Sequence, residues 1–209
     1  MFKRYWKQVL FFIFCFVVAT AAVWSFYRFR PDVRRLWRTH DVQKKTEQLA
    51  AIVAKYQKGK TSYQNLEVGN FENIELPKGL YRHVNDKDLE DINGGRIEVF
   101  SGTTSRYEPN FNAFVIKWNG LTKSDCTMFA QIKWNNVENA RIIGVVATPE
   151  YVHGDDPLLY NGCSGGESSY RGIVACRNGK IKSFPFDDNS ANAACECFGE
   201  NCSFALKYM

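Results

Sequence analysis

No charged side chain occurs between Gln8 and Tyr27. Soluble helices seldom go five turns without charge, so this absence disfavours a buried core helix. A run of about 20 apolar residues at about 1.5 Å rise each matches a bilayer's hydrocarbon core. A cleaved secretory signal peptide is the competing reading, since Ala19-Thr20-Ala21 offers the small residues a signal peptidase needs. The apolar run continues past that point through Val23, Trp24, Phe26 and Tyr27, which favours an uncleaved anchor. The sequence also lacks internal repeats and low-complexity tracts, and its histidines are few and scattered at His40, His83 and His153.

The net charge of +5 is unevenly placed. Residues 1–60 hold 13 Lys/Arg against 3 Asp/Glu, whereas residues 61–209 hold 14 against 19. The basicity therefore clusters beside the apolar run, where Arg28, Arg30, Arg34, Arg35 and Arg38 would suit anionic lipid headgroups of an inner membrane. The remainder is mildly acidic and has no basic stripe, so no nucleic-acid partner is expected for the head.

Six of the seven cysteines lie beyond residue 125: Cys126, Cys163, Cys176, Cys195, Cys197 and Cys202. An even, clustered set reads as disulfides formed in an oxidising compartment, and about fifteen pairings are open. The seventh, Cys15, sits in the apolar run. Zinc is the lesser alternative, because Cys195-Glu196-Cys197 followed by Cys202 departs from paired Cys-x2-Cys spacing. Arginine placement after the apolar run would put the head in the cytoplasm. The cysteines point the other way, and they decide for a single-pass inner-membrane protein with a periplasmic or cell-surface head.

Helical spacing of Val33, Leu36, Trp37, Leu49, Ile52, Val53 and Tyr56 predicts a long helix ending at Lys58-Gly59-Lys60. Residues 61–95 read as a long connection closed by the turn Asn93-Gly94-Gly95. Beyond it the period becomes two. Strands are expected at Ile97–Phe100, Phe114–Trp118, Arg141–Thr148, Arg171–Cys176, Lys180–Phe186 and Ser203–Tyr208. Gly120 breaks the pattern, and a short helix capped by Thr122 or Ser124 is expected within Leu121–Trp134. The fold class is α+β, in three parts: 1–30 as tail and transmembrane helix, 31–60 as its continuation, and 61–209 as the globular head.

Two segments carry a family resemblance. Asp91-Ile92-Asn93-Gly94-Gly95-Arg96-Ile97-Glu98-Val99 is similar to the turn and first strand of the toxin-coregulated, bundle-forming and conjugative thin-pilus subunits. Phe111 to Ile116, then Asn119-Gly120-Leu121-Thr122-Lys123-Ser124-Asp125-Cys126, resembles the strand-to-helix segment of the same type IVb pilins. The resemblance implies a pilin-like fold: a long N-terminal membrane-spanning helix packed on an antiparallel sheet, with a disulfide-closed C-terminal lobe. It further implies that Cys126 pairs with Cys195, Cys197 or Cys202, and that the partners are other pilin or assembly-machinery subunits. The leader glycine and the following glutamate usual in that family have no counterpart in Met1 to Tyr27. A binding or adhesion module that uses the same head without polymerising, and meets a surface receptor through residues 149–200, is the alternative.

No catalytic, cofactor or metal residues are expected. His153-Gly154-Asp155-Asp156 with Glu150 reads as a solvated acidic loop rather than a calcium site. Gly162-Cys163-Ser164-Gly165 lacks a nucleophile elbow and a neighbouring histidine, so a disulfide-closed loop accounts for it better than a hydrolase. Asn201-Cys202-Ser203 matches a glycosylation acceptor only formally.

Overall fold

Helix α1 runs from Phe2 to Tyr56 without interruption, as long as the apolar run and the amphipathic run together. The computed structural model describes residues 2–59, 62–66, 76–82, 88–91, 95–103, 111–149, 173–176 and 185–209. Within them, 2–11, 26–37, 81–82, 91 and 173–176 are described by backbone alone. The chain divides into two units, Met1–Asp41 and Val42–Met209.

In the first unit, every described side chain from Phe12 to Ser25 is exposed. Phe12, Phe16 and Trp24 lie on different turns and are 72%, 71% and 65% exposed. Thr20, the one hydroxyl among them before Ser25, donates to the carbonyls of Phe16 and Val17, both at 2.9 Å. Such back-bonding satisfies a polar group within an apolar helix.

Among the described residues, no helix is long and apolar enough to cross a membrane. This corrects the expected membrane-spanning helix, and with it the single-pass inner-membrane placement of the chain.

In the second unit, α1 presents Val42, Leu49, Ala50, Val53 and Ala54 to the core. These recur at seven-, eight- and eleven-residue offsets, which place them on one helical stripe. Of the expected stripe, Leu49 and Val53 are buried and Ile52 and Tyr56 partly so, while the side chains of Val33, Leu36 and Trp37 lie outside the described residues. The helix stops where expected. Gly59 takes a φ of +90°, a left-handed position that glycine reaches without the strain a Cβ would bring.

A sheet of seven strands covers that stripe: β1 Leu80–Arg82, β2 Leu89–Asp91, β3 Arg96–Gly102, β4 Ala113–Leu121, β5 Ile142–Thr148, β6 Ile173–Cys176 and β7 Cys202–Tyr208. The spatial order is β1-β2-β3-β4-β7-β5-β6, and every pairing is antiparallel. The antiparallel sheet and the strands at Ile97, Phe114, Arg141 and Ser203 match the sequence reading closely. β1 and β2 do not: they lie in what reads as connection, because three-residue strands are too short to show a period. The turn at Asn93 and Gly94, and the strand expected over 180–184, lie outside the described residues; Phe186 is in no strand.

Gly120 turns out to bend a strand rather than end it. The β4–β7 register shifts between Trp118 and Leu121, and Gly120 sits there at φ +71°. A bulge of this kind re-aims the strand and lets Leu121 rejoin the ladder opposite Cys202.

Helix α2, Lys123–Gln131, follows at once. Thr122 caps it, its hydroxyl oxygen accepting from the Asp125 amide at 3.2 Å. Phe129 projects from α2 into three rings, edge-on to Trp118 at 5.1 Å and to Phe204 at 5.7 Å, with Trp134 at 6.2 Å. Edge-to-face aromatic pairs contribute about 0.5–1.5 kcal/mol each beyond their buried area. A third helix, α3 Asp188–Ala194, was not anticipated; its local signal is the Asp187 cap, whose carboxylate accepts from the Ser190 amide at 2.7 Å.

We expect Phe129→Ala to destabilise the head by about 3–5 kcal/mol in urea denaturation, as large-to-small core changes do. Phe198→Ala, at an exposed position, should shift stability by no more than about 0.5 kcal/mol.

Candidate functional site

Among the described residues, two features of the head concentrate chemistry: a lobe closed by two disulfides, and a polar row on the sheet face opposite the Phe129 cluster. The lobe forms because α2 and α3 both place a cysteine at the start of β7. Cys126 in α2 is bonded to Cys195 at the end of α3, across 69 residues. Cys197 is bonded to Cys202, which opens β7, across 5 residues. The resemblance left Cys195, Cys197 and Cys202 open as partners of Cys126, and Cys195 is the one. Cys163 lies outside the described residues; Cys176 ends β6, and its side chain is likewise outside them.

Burial divides the four sulfurs. Cys126, Cys195 and Cys202 are completely buried, whereas Cys197 is partly exposed. The sulfurs of Cys126, Cys195 and Cys202 lie within 4.8 Å of one another, the donor set a thiophilic metal would use. Both disulfides are formed, so these sulfurs have no thiolate to offer a cation. The short loop between Cys197 and Cys202 carries Phe198 at 91% exposure, with Glu196 and Glu200 exposed beside it. In the formal glycosylation acceptor Asn201-Cys202-Ser203, Asn201 is exposed while Cys202 and Ser203 are wholly buried.

The polar row was not legible as a site. Alternation in Ser203–Tyr208 suggests one dry and one wet face, yet all seven residues of β7 are buried. On the second face, Lys117 of β4 meets Glu98 of β3 at 2.6 Å, and its ammonium stands 5.3 Å from the centre of the Phe100 ring. Asn119 donates to Glu98 at 2.8 Å and accepts from the Ser203 hydroxyl at 2.6 Å. One strand over, Lys207 donates to the Thr103 carbonyl. Valines and an alanine (Val115, Val146 and Ala205) fill the spaces between.

Burial pushes the Lys207 amine down to about 8, because a buried ammonium loses its hydration. The phenol of the neighbouring Tyr208 moves the other way, raised first by burial and then by the charge of Glu47. Glu47 itself is held at the helix–loop contact, accepting from the Asn135 amide at 3.1 Å and side chain at 3.0 Å, and from Gln43 at 2.9 Å.

Among the described residues, the row brings no nucleophile against a base. The Ser203 hydroxyl donates to an amide oxygen, and Lys207 donates to a backbone carbonyl. Of the histidines, His40 is exposed, and His83 and His153 lie outside the described residues, as do Glu150, Asp155, Asp156 and Ser164. No family model, curated protein or solved structure matches this chain.

Chain-entropy arithmetic separates the two disulfides: closing the long loop constrains the unfolded chain by about 4 kcal/mol and the short one by about 2 kcal/mol. Thermal unfolding of the paired alanine variants should therefore show the larger loss without Cys126–Cys195. The pH dependence follows from the two strand neighbours. Lys207 is depressed in the fold, so the unfolded chain binds the extra proton between about pH 8 and the ordinary lysine value near ~10.4. Stability should rise across that interval. Above about pH 10 the raised Tyr208 reverses the trend, since the unfolded phenol ionises first. Denaturation from pH 7 to 11 should show this rise and fall, and Lys207→Met should flatten the rise.

Proposed function

We infer that the chain is a pilin-like structural or assembly subunit whose head works in an oxidising compartment. One observation carries this reading: a 55-residue helix whose described residues 12–25 expose apolar side chains on all sides. A helix apolar all round does not stay wetted; it is stable when other surfaces bury it. Packing against the same segment of further copies supplies that burial, with axes about 8–10 Å apart. The head then covers the Val42–Ala54 stripe of the helix with its sheet. Its disulfides suit a compartment in which thiols are oxidised. The resemblance of Asp91–Val99 and Phe111–Cys126 to type IVb pilins supports the same role.

The second reading is a binding module that displays its C-terminal lobe to a partner without polymerising. Phe198 favours it, as an aromatic held outward on a loop whose two ends are tied together.

Cys15 is a free, exposed thiol within the apolar segment and serves as a built-in reporter. Mild oxidation of the full-length protein should bridge Cys15 to Cys15 of a second copy. Sedimentation should show multimers, and Phe12→Asp with Phe16→Asp should weaken both signals about tenfold or more, since buried charges are costly at a packed interface. A monodisperse monomer with no Cys15 bridge would remove the subunit reading and leave the binding module.

A further inference from the structure

We propose that the two disulfides of the C-terminal lobe form an exchange pair, with Cys197 as the sulfur that an external thiol attacks. Three observations converge on this. Cys197 is the only one of the four bonded sulfurs that is not wholly buried. Its partner Cys202 lies within 4.8 Å of both sulfurs of the other disulfide. Cys202 is also 3.5 Å from the Cys195 carbonyl oxygen, which holds it on the Cys195 side of the lobe.

The chemistry balances in three steps. An external thiolate attacks Cys197, forming a mixed disulfide as the Cys197–Cys202 bond breaks and Cys202 leaves as thiolate. Cys202 is wholly buried, so that thiolate is costly to keep. It attacks the adjacent Cys126–Cys195 bond, forming either Cys195–Cys202 or Cys126–Cys202 and releasing the third cysteine as thiolate, which takes a proton. If the external reagent is a dithiol, its second sulfur closes on its first and frees Cys197. The reagent is thus oxidised by two electrons, and the lobe keeps one disulfide and gains two thiols.

This device re-pairs the lobe rather than simply opening it. Sequential reduction would strip the short loop and leave Cys126–Cys195 intact. Exchange instead passes the break inward, so that an attack at the accessible Cys197 unties α2 from the end of α3. Charge selects among reagents. Glu196 and Glu200 flank the exposed sulfur, so a cationic thiol meets it more readily than an anionic one. The idea concerns the lobe alone and stands whether or not the chain assembles.

The test is partial reduction of the full-length protein with substoichiometric dithiothreitol, followed by acid quench, alkylation and peptide mapping. Exchange predicts early label on Cys197 together with Cys126 or Cys195, and a new bond from Cys202 to the unlabelled one. Label on Cys197 and Cys202 alone, with Cys126–Cys195 intact, overturns the proposal. Cys197→Ser provides a second measurement with no reductant: the one thiol it leaves among Cys126, Cys195 and Cys202 should be found distributed over all three. A thiol confined to Cys202 would count equally against exchange. Cysteamine should reduce the wild-type lobe several-fold faster than 2-mercaptoethanesulfonate at equal thiolate concentration, and equal rates would remove the role given to the two glutamates.

Discussion

The head depends on how α2 is clamped to the sheet. Phe129 reaches from the helix into a ring of Trp118, Trp134 and Phe204, and Cys126, three residues earlier on the same helix, is bonded to Cys195. Packing and covalent bond act on adjacent turns, so α2 can neither slide nor lift. The helix in turn fixes its neighbours. The Phe186 amide donates to the Ala130 carbonyl at 3.0 Å, placing the start of α3, and the Trp134 ring nitrogen donates to the Phe129 carbonyl at 3.1 Å. The loop that follows α2 receives Glu47 of α1 through Asn135. One aromatic wedge therefore orders the sheet, both short helices and the packed end of the long one.

The two faces of the sheet solve the burial problem differently. Toward α1 and α2 the strands present Val99, Ile116, Trp118, Phe204 and Leu206, whose transfer from water is favourable by about 25 cal/mol per Å². On the other face lysines, an asparagine and a serine are buried among small apolar residues. Such groups stabilise little in net terms, but each costs heavily when left unpaired. The pairing of Lys117 with Glu98 and of Asn119 with Glu98 and Ser203 fixes β3, β4 and β7 in one register. A one-residue slip would send those polar groups into the aromatic cluster.

Much of this was visible in the residues. Periodicity located α1's packed stripe at Leu49 and Val53, the four longer strands, and α2, with Thr122 as one of its two cap candidates. Clustering of cysteines gave disulfides in the lobe. What escaped has physical causes. β1 and β2 are too short for a two-residue period to register, and α3 has only seven residues. Gly120 reads as a breaker in sequence because a bulge and a chain reversal both want the same backbone freedom. The polar row could not be seen at all: Lys117 and Lys207 alternate with apolar neighbours just as solvent-facing residues do, and only the sheet's second layer of burial distinguishes them. The membrane expectation came from the uncharged run, the arginines beside it and the family resemblance, and the described helix does not support it.

β7 comes last among the strands yet lies between β4 and β5. Until it arrives, the growing sheet is two separate pieces, β1 to β4 and β5 with β6, each with an unpaired edge. Those edges are wide and apolar, with Phe114, Ile116 and Val145 beside them. Joining them is a long-range step that a chain takes slowly, and exposed edges invite pairing with other chains. The same strand that makes the finished head continuous therefore defines a vulnerable interval in its making, during which a chaperone that shields strand edges would matter more than one that shields a core.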